Sequence, residues 1–216
     1  MRTQKLDEVV LAIVDLSGSM AGQSIATAQA QIQELLWEMK SAQASTSNVI
    51  RFGLMGFESG GRWIMKPTNV DEINDLPTLR IKMDQNGFFP RTNFSAMLME
   101  LERGMNPGFL CDQEPIRSLH VILFSDGFST DQEQELRDTM ERLQKNKVFS
   151  DRRCRRYVIR DELDWAKREL SYRAWLVEAF TGAEENVTNA AGFSALISQI
   201  SAKLTGGGDG NPHSVF

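Results

Sequence analysis

Residues Val9 to Val14 read Val-Val-Leu-Ala-Ile-Val and run directly into Asp15-Leu16-Ser17-Gly18-Ser19-Met20. A continuous apolar run rich in β-branched residues is what a strand buried on both faces requires, so this stretch predicts the central strand of a sheet. After a turn of small residues, Ser24 to Lys40 sets Ile25, Ala28, Ile32, Leu35, Leu36 and Met39 at helical spacing. Strand, tight loop and helix form the first half of a βαβ unit. Leu119 to Phe124 (Leu-His-Val-Ile-Leu-Phe) starts the same pattern again, followed by Ser125-Asp126-Gly127 and a predicted helix from Asp131 to Lys145.

The remaining elements arrange themselves around these two units. Val49 to Phe57 and Arg62 to Met65, joined by Glu58-Ser59-Gly60-Gly61, predict a hairpin that forms an antiparallel edge. A short helix is expected over Asn69 to Leu76. A polar, Gly- and Pro-punctuated passage follows from Arg80 to Arg91, then a helix from Asn93 to Gly104. Arg155 to Arg160 predicts another strand, Leu163 to Phe180 a helix closed by Thr181-Gly182, and Asn186 to Thr188 a short last strand. Phe193, Leu196, Ile197, Ile200 and Leu204 give the stripe of a final helix. The expected fold is α/β, a doubly wound and mostly parallel sheet with one antiparallel edge strand and helices on both faces. It occupies residues 1–205 as a single domain, with a flexible tail over 206–216. In such sheets ligands sit outside the carboxyl ends of the strands, where the winding reverses.

Composition sets the bounds. The 216 residues carry a net charge of −5, which argues against a general nucleic-acid binder. With 41% hydrophobic and 25% charged residues, the chain matches an ordinary globular domain. Val9 to Val14 falls far short of the roughly 18 residues that span a bilayer. Asp7 and Glu8 precede it where a signal peptide would be basic, so a cytoplasmic location away from membranes is expected. Cys111 and Cys154 lie far apart, with only His120 and His213 to help them, which excludes a zinc site and a disulfide framework as expectations.

Asp15, Ser17 and Ser19 place three oxygen side chains at alternate positions in one tight loop at the end of the first buried strand. A hard cation such as Mg²⁺ takes six oxygens at about 2.0–2.1 Å and usually keeps some water. Asp126 ends the second buried strand in the same manner, and Thr92 precedes another helix, so three loops can converge on one ion. Alone, the first loop reads equally well as an Asp/Ser helix cap; the combination favours metal. Since hydroxyls are neutral, two aspartates at most balance a divalent ion, which leaves it attractive to an outside carboxylate.

Asp15-x-Ser17-x-Ser19, Thr92 in a Thr-Asn context and Asp126-Gly127 after an apolar strand together resemble the metal-ion-dependent adhesion site of von Willebrand factor A (vWA) domains. The resemblance spans Val9 to Leu204, including Phe180-Thr181-Gly182 and Glu185-Asn186-Val187. Within the family, Asp-Leu-Ser-Gly-Ser-Met and Arg-Thr-Asn-Phe-Ser-Ala look most similar to bacterial cytoplasmic proteins of tellurium-resistance type. It implies a Rossmann-like domain whose metal ligands are Asp15, Ser17, Ser19, Thr92 and Asp126, with Mg²⁺ as the ion and Mn²⁺ or Ca²⁺ as substitutes. It implies further that an Asp or Glu of a partner protein completes the coordination, and that the protein is not an enzyme. By analogy the partner is a kinase, phosphatase or AAA+ ATPase encoded nearby in a stress-response or defence system. The family also implies a switch in which Asp15 coordinates through water in one state and Asp126 more directly in the other, and the sequence leaves both arrangements open.

Other readings stand beside this one. A Mg²⁺-dependent phosphatase of haloacid-dehalogenase-like type would use Asp15 as nucleophile, but Ser17 stands where its second aspartate belongs. A structural subunit with an unused metal site is the other alternative. A serine hydrolase lacks its Gly-x-Ser-x-Gly elbow, and His120 lies inside a strand. The charged segment Lys147 to Tyr172, with its run Arg152-Arg153-Cys154-Arg155-Arg156, is longer than the family usually shows. It is a candidate docking surface.

Overall fold

A computed structural model of the chain describes residues 6–83, 85, 87, 90–111, 116–127, 129–160, 171–182 and 186–205. The strands are β1 (Asp7–Asp15), β2 (Val49–Phe57), β3 (Gly61–Asn69), β4 (Ile116–Ser125), β5 (Cys154–Arg160) and β6 (Val187–Asn189). The helices are α1 (Gln23–Gln43), α2 (Phe94–Gly104), α3 (Pro107–Leu110), α4 (Glu133–Gln144), α5 (Ser171–Thr181) and α6 (Phe193–Thr205). The sheet runs in the order β3-β2-β1-β4-β5-β6. Its pairs are parallel except β2 with β3, the antiparallel edge the sequence predicts.

β1 lies between β2 and β4, and all nine of its residues are buried. Successive side chains of a strand point to opposite faces. Val9, Leu11 and Ile13 therefore enter a core with Phe94 and Leu98 of α2, Leu136 and Met140 of α4, and Leu176 and Phe180 of α5. Val10, Ala12 and Val14 enter a second core with Ile32 and Leu35 of α1 and Ile197 and Ile200 of α6. Two cores on one strand explain why its sequence is apolar without alternation. The winding reverses between β1 and β4, so the loops after these two strands open side by side at the carboxyl end of the parallel strands.

The amino end of β1 carries two buried acids. Glu8 meets Arg117 at 3.0 Å and Asn48 at 3.2 Å, and accepts a hydrogen bond from Ser118. Asp7 pairs with Arg51 of β2 at 3.1 Å. Burial pushes the Glu8 carboxyl above its ordinary range, while these partners oppose the rise.

Four expectations need correction or limits. The short helix expected within Asn69 to Leu76 is confined to a single turn. Only Val70–Glu72 forms a 3-10 turn, with the Asn69 side chain accepting from Asp71 N at 3.1 Å, and Pro77 then biases Leu76 away from helical backbone. The helix expected from Asp131 starts at Glu133. The part of the predicted Leu163–Phe180 helix before Ser171, and the tail 206–216, lie outside the described residues. β5 forms over Cys154–Arg160 in spite of its flanking charges, because it is paired on both sides, with β4 and β6. Cys111 and Cys154 are both free and buried.

His120 sits within β4, fully buried, its ring parallel to Tyr157 at 6.1 Å and neither nitrogen hydrogen-bonded. Burial holds its pKa down to about 3, with Arg155 and Lys203 adding to the fall. The folded protein keeps this imidazole neutral, whereas the unfolded chain protonates it below about 6.5. Stability is therefore lost as pH falls from about 6.5 toward 3, at up to about 1.4 kcal/mol per pH unit. Urea unfolding at pH 7 and pH 5 should show wild type losing about 2 kcal/mol more than His120→Phe. Equal losses would mean that the ring is protonated in the folded state.

Candidate metal centre

Asp15 is the last residue of β1, and the turn Gly18–Met20 carries the chain from it toward α1. Gly22, at φ 85°, provides a left-handed step into the helix that a side chain would resist. Asp15 Oδ1 accepts from Ser17 N at 2.9 Å, folding the loop back on the carboxylate, and Ser17 Oγ lies 3.0 Å from Ser19 Oγ. Asp15, Ser17, Thr92 and Asp126 are at most 4% exposed, whereas Ser19 faces solvent.

Three loops are stitched together. The register that sets Val14 opposite Phe124 brings Asp15 beside Ser125, whose Oγ donates to Asp15 Oδ2 at 2.7 Å and accepts from Gly127 N at 2.9 Å. Gly127 takes φ 74°, turning the chain sharply after Asp126. Gly18 N donates to Pro90 O at 3.4 Å, joining the first loop to the segment before Thr92. Thr130 donates to Thr92 O through both its backbone N (2.9 Å) and Oγ1 (2.8 Å).

Asp131 completes the fastening. Its Oδ2 accepts from Phe94 N at 2.6 Å and from Ser129 Oγ at 2.6 Å, and Oδ1 receives a longer contact of 3.4 Å from Ser95 N. The carboxylate thus caps α2, an element far away in sequence, alongside the local cap in which Asn93 accepts from Ala96 N at 2.7 Å. Neither Asp131 nor Ser125 was a site candidate in the sequence. Ser125 could have been found from strand register; nothing local points to Asp131.

Burial pushes the Asp15 carboxyl up to about 7; hydrogen bonds from Ser17 and Ser125 oppose the rise and the charge of Asp126 adds to it. A buried carboxyl beside a second acid suits a cation shared between them. Ser17 Oγ and Ser19 Oγ are hydrogen-bonded at 3.0 Å, and since neighbouring oxygens of an octahedral shell with bonds of about 2.0–2.1 Å lie about 2.9 Å apart, the pair can exchange that bond for a shared ion with little movement. The residues present therefore fit a hard divalent ion. Among the described residues no group of three or more His, Cys, Asp or Glu is arranged to hold a metal, so a centre here draws on hydroxyls as well as carboxylates.

The run Arg152 to Arg156 lies at the start of β5, and Cys154 pairs with Leu119 near the opposite end of β4 from this centre. Arg153 is held by Asp151 at 2.9 Å, and the Arg156 guanidinium lies 4.7 Å from the centre of the Phe149 ring. No helix among the described residues is long and apolar enough to cross a membrane.

No family model matches the sequence, and no curated protein sequence matches it. Solved structures do match its fold. The pilus adhesin SpaC from Lactobacillus rhamnosus GG superposes with a TM-score of 0.65 at 11% identity, over 95% of this chain and 30% of its own. A von Willebrand factor type A protein from Catenulispora acidiphila gives 0.56 at 17% identity, over 93% of this chain and 43% of that one. Proximal thread matrix protein 1 from the mussel byssus, in a structure with a zinc-occupied MIDAS motif, gives 0.60 at 14% identity, covering 93% and 48%. The chain thus spans less than half the length of each of these proteins. Its architecture is the Rossmann-like fold of a von Willebrand factor A domain.

Proposed function

We propose that this protein is a metal-dependent protein-interaction module rather than an enzyme. In this reading Asp15, Ser17, Ser19, Thr92 and Asp126 hold Mg²⁺, and an Asp or Glu of a partner protein completes the shell. The observation that carries it is the stitching of three loops around a buried carboxylate, with two hydroxyls spaced as neighbouring ligands of a hard ion. The vWA fold and the zinc at the MIDAS motif of the mussel protein support it. Mn²⁺ or Ca²⁺ would occupy the same donors.

The reading extends to a single domain over residues 1–205 in the cytoplasm, of the tellurium-resistance type, serving a bacterial stress-response or defence system beside a kinase, phosphatase or AAA+ ATPase. Affinity capture from lysate in Mg²⁺ and in EDTA tests it: partners held in Mg²⁺ should be released by the chelator and missed by Asp15→Ala. Identical partner sets in the two conditions would overturn it. Aryl-phosphate turnover that disappears in Asp15→Asn would point to phosphatase chemistry instead.

A further inference from the structure

α1 and α6 cover one face of the sheet, and α2, α4 and α5 the other. The two coverings differ in charge. α1 and α6, with 21 and 13 residues, hold four charged side chains between them, Glu34, Glu38, Lys40 and Lys203, whereas α4 holds six in 12 residues. A surface helix usually turns charged residues to water, and the centre of a protein interface is where charge is depleted. The outward line of α1 runs at helical spacing through Ala26, Ala30, Gln33, Trp37 and Ser41; all five are exposed and none is charged. Trp37 stands on this line with 65% of its surface in solvent, and Trp is among the residues enriched at interface hot spots. The line is about 22 Å long, enough to seat about four turns of a second helix.

α6 packs alongside α1 and continues the same surface. Ser194 Oγ donates to Glu34 Oε1 at 3.3 Å, and Gln31 Nε2 donates to Ala190 O at 3.2 Å, so the row Gln31, Glu34 and Glu38 marks the seam between the two elements. Beyond the seam α6 exposes Ser194, Ala195, Ser198 and Ala202, short uncharged side chains that let another backbone approach closely. Neither Glu34 nor Glu38 meets a Lys or Arg among the described residues. The single cation of α1, Lys40, is turned to the other flank, where its Nζ donates to Ile73 O. The face is therefore a neutral strip around one exposed indole, with two unanswered acids along one side.

We infer that the α1–α6 face is a docking surface for a basic amphipathic helix of a partner protein. Its small or apolar side chains lie under Trp37, and Lys or Arg one turn apart meets Glu34 and Glu38. Charge selects this occupant. A second copy joined α1 to α1 about a twofold axis presents the same flank on the same side, which sets Glu34 and Glu38 against their own copies. A helix with one basic flank answers both acids instead. The surface lies outside the metal centre, so this inference goes beyond metal-dependent recognition and stands or falls without it.

The test uses the full chain and fluorescein-labelled peptides of about 18 residues, read by anisotropy at low ionic strength. One is a helix with an Ala/Leu face and a Lys flank, one has Glu in place of Lys, and one is a scramble of the Lys sequence. The Lys helix should bind about tenfold more tightly than the other two, alike in Mg²⁺ and in EDTA. Trp37→Ala should weaken it about 30-fold, the size of a hot-spot truncation. Glu34→Lys/Glu38→Lys should turn the preference to the Glu helix, whereas Glu135→Lys/Glu141→Lys, exposed on α4 and equal in net charge, should leave it with the Lys helix. None of these side chains is buried, and unchanged thermal midpoints show that the fold is intact. Equal binding of the Lys helix and its scramble, indifference to Trp37→Ala, or the same reversal in the α4 variant would mean general attraction to an acidic protein and would overturn the docking surface. Loss of the Lys helix in EDTA would move the contact to the metal centre and overturn it as well. A dimer in sedimentation equilibrium that Trp37→Ala abolishes would make the occupant a second copy and overturn the partner helix.

Discussion

Saturating Mg²⁺ should raise the stability of the wild-type chain by about 2.7 kcal/mol when the free ion is at about 100 times its Kd. For a domain of this size that is about 5–10 °C in thermal midpoint. Asp15→Ala should not respond. Asp15→Asn separates the centre from the fold, because the amide keeps an acceptor for Ser17 N and removes the buried charge. In EDTA at pH 8 its midpoint should equal or exceed that of wild type, and Mg²⁺ should leave it unchanged. The sign of the pH dependence follows from the raised pKa of Asp15. Without metal, the folded state binds a proton more tightly than the unfolded chain, so stability declines as pH rises from the ordinary carboxylate value of about 4 through about 7. Metal replaces that proton, so the midpoints in Mg²⁺ and in EDTA should be furthest apart above pH 7 and converge toward pH 5. A wild-type midpoint at pH 8 indifferent to both Mg²⁺ and Mn²⁺ would remove the centre from consideration.

Asp131→Ala carries the second large effect. It strips the carboxylate from Phe94 N and Ser129 Oγ and releases the start of α2 from the loop after β4. Loss of the cap and its charge-assisted bonds should cost about 2–3 kcal/mol in urea unfolding. A merely structural role would end there. Because Thr92 immediately precedes the capped turn, the Mg²⁺ Kd from calorimetry should also weaken. Asp131→Asn, which can still accept from Phe94 N, should restore most of the stability and part of the affinity. Unchanged Mg²⁺ affinity in a destabilised Asp131→Ala would mean that Asp131 holds the helix and not the centre.

What the sequence disclosed depended on how local each cause is. β1 and β4 are legible because burial on two faces demands an unbroken apolar run, and their terminal acids follow directly. The doubly wound order and the antiparallel edge follow from strand and helix alternation and from a short hairpin. The passage after β3 was read as a longer helix than it forms: one 3-10 turn closes on Ile73 N to Val70 O, and beyond it Lys40 holds Ile73 O and Gln29 holds Leu79 N from α1. Asp131 was assigned to the helix it precedes, where acids commonly sit, yet its carboxylate serves another helix. Both errors come from long-range side-chain partners that spacing along the chain does not encode.

The two ends of β1 are under different physical constraints. At the amino end the acids face arginines from neighbouring strands, a closed set in which each charge is answered within the chain. Replacing Glu8 and Arg117 together by apolar residues of similar volume is the kind of exchange that leaves stability unchanged or improved, so drift or redesign can erase that cluster. At the carboxyl end Asp15 is surrounded by hydroxyls, an amide and another acid. No neighbour carries a charge that answers Asp15, so lineages that abandon the centre should lose Asp15 and Asp126 together while keeping the two adjacent strands that end in them.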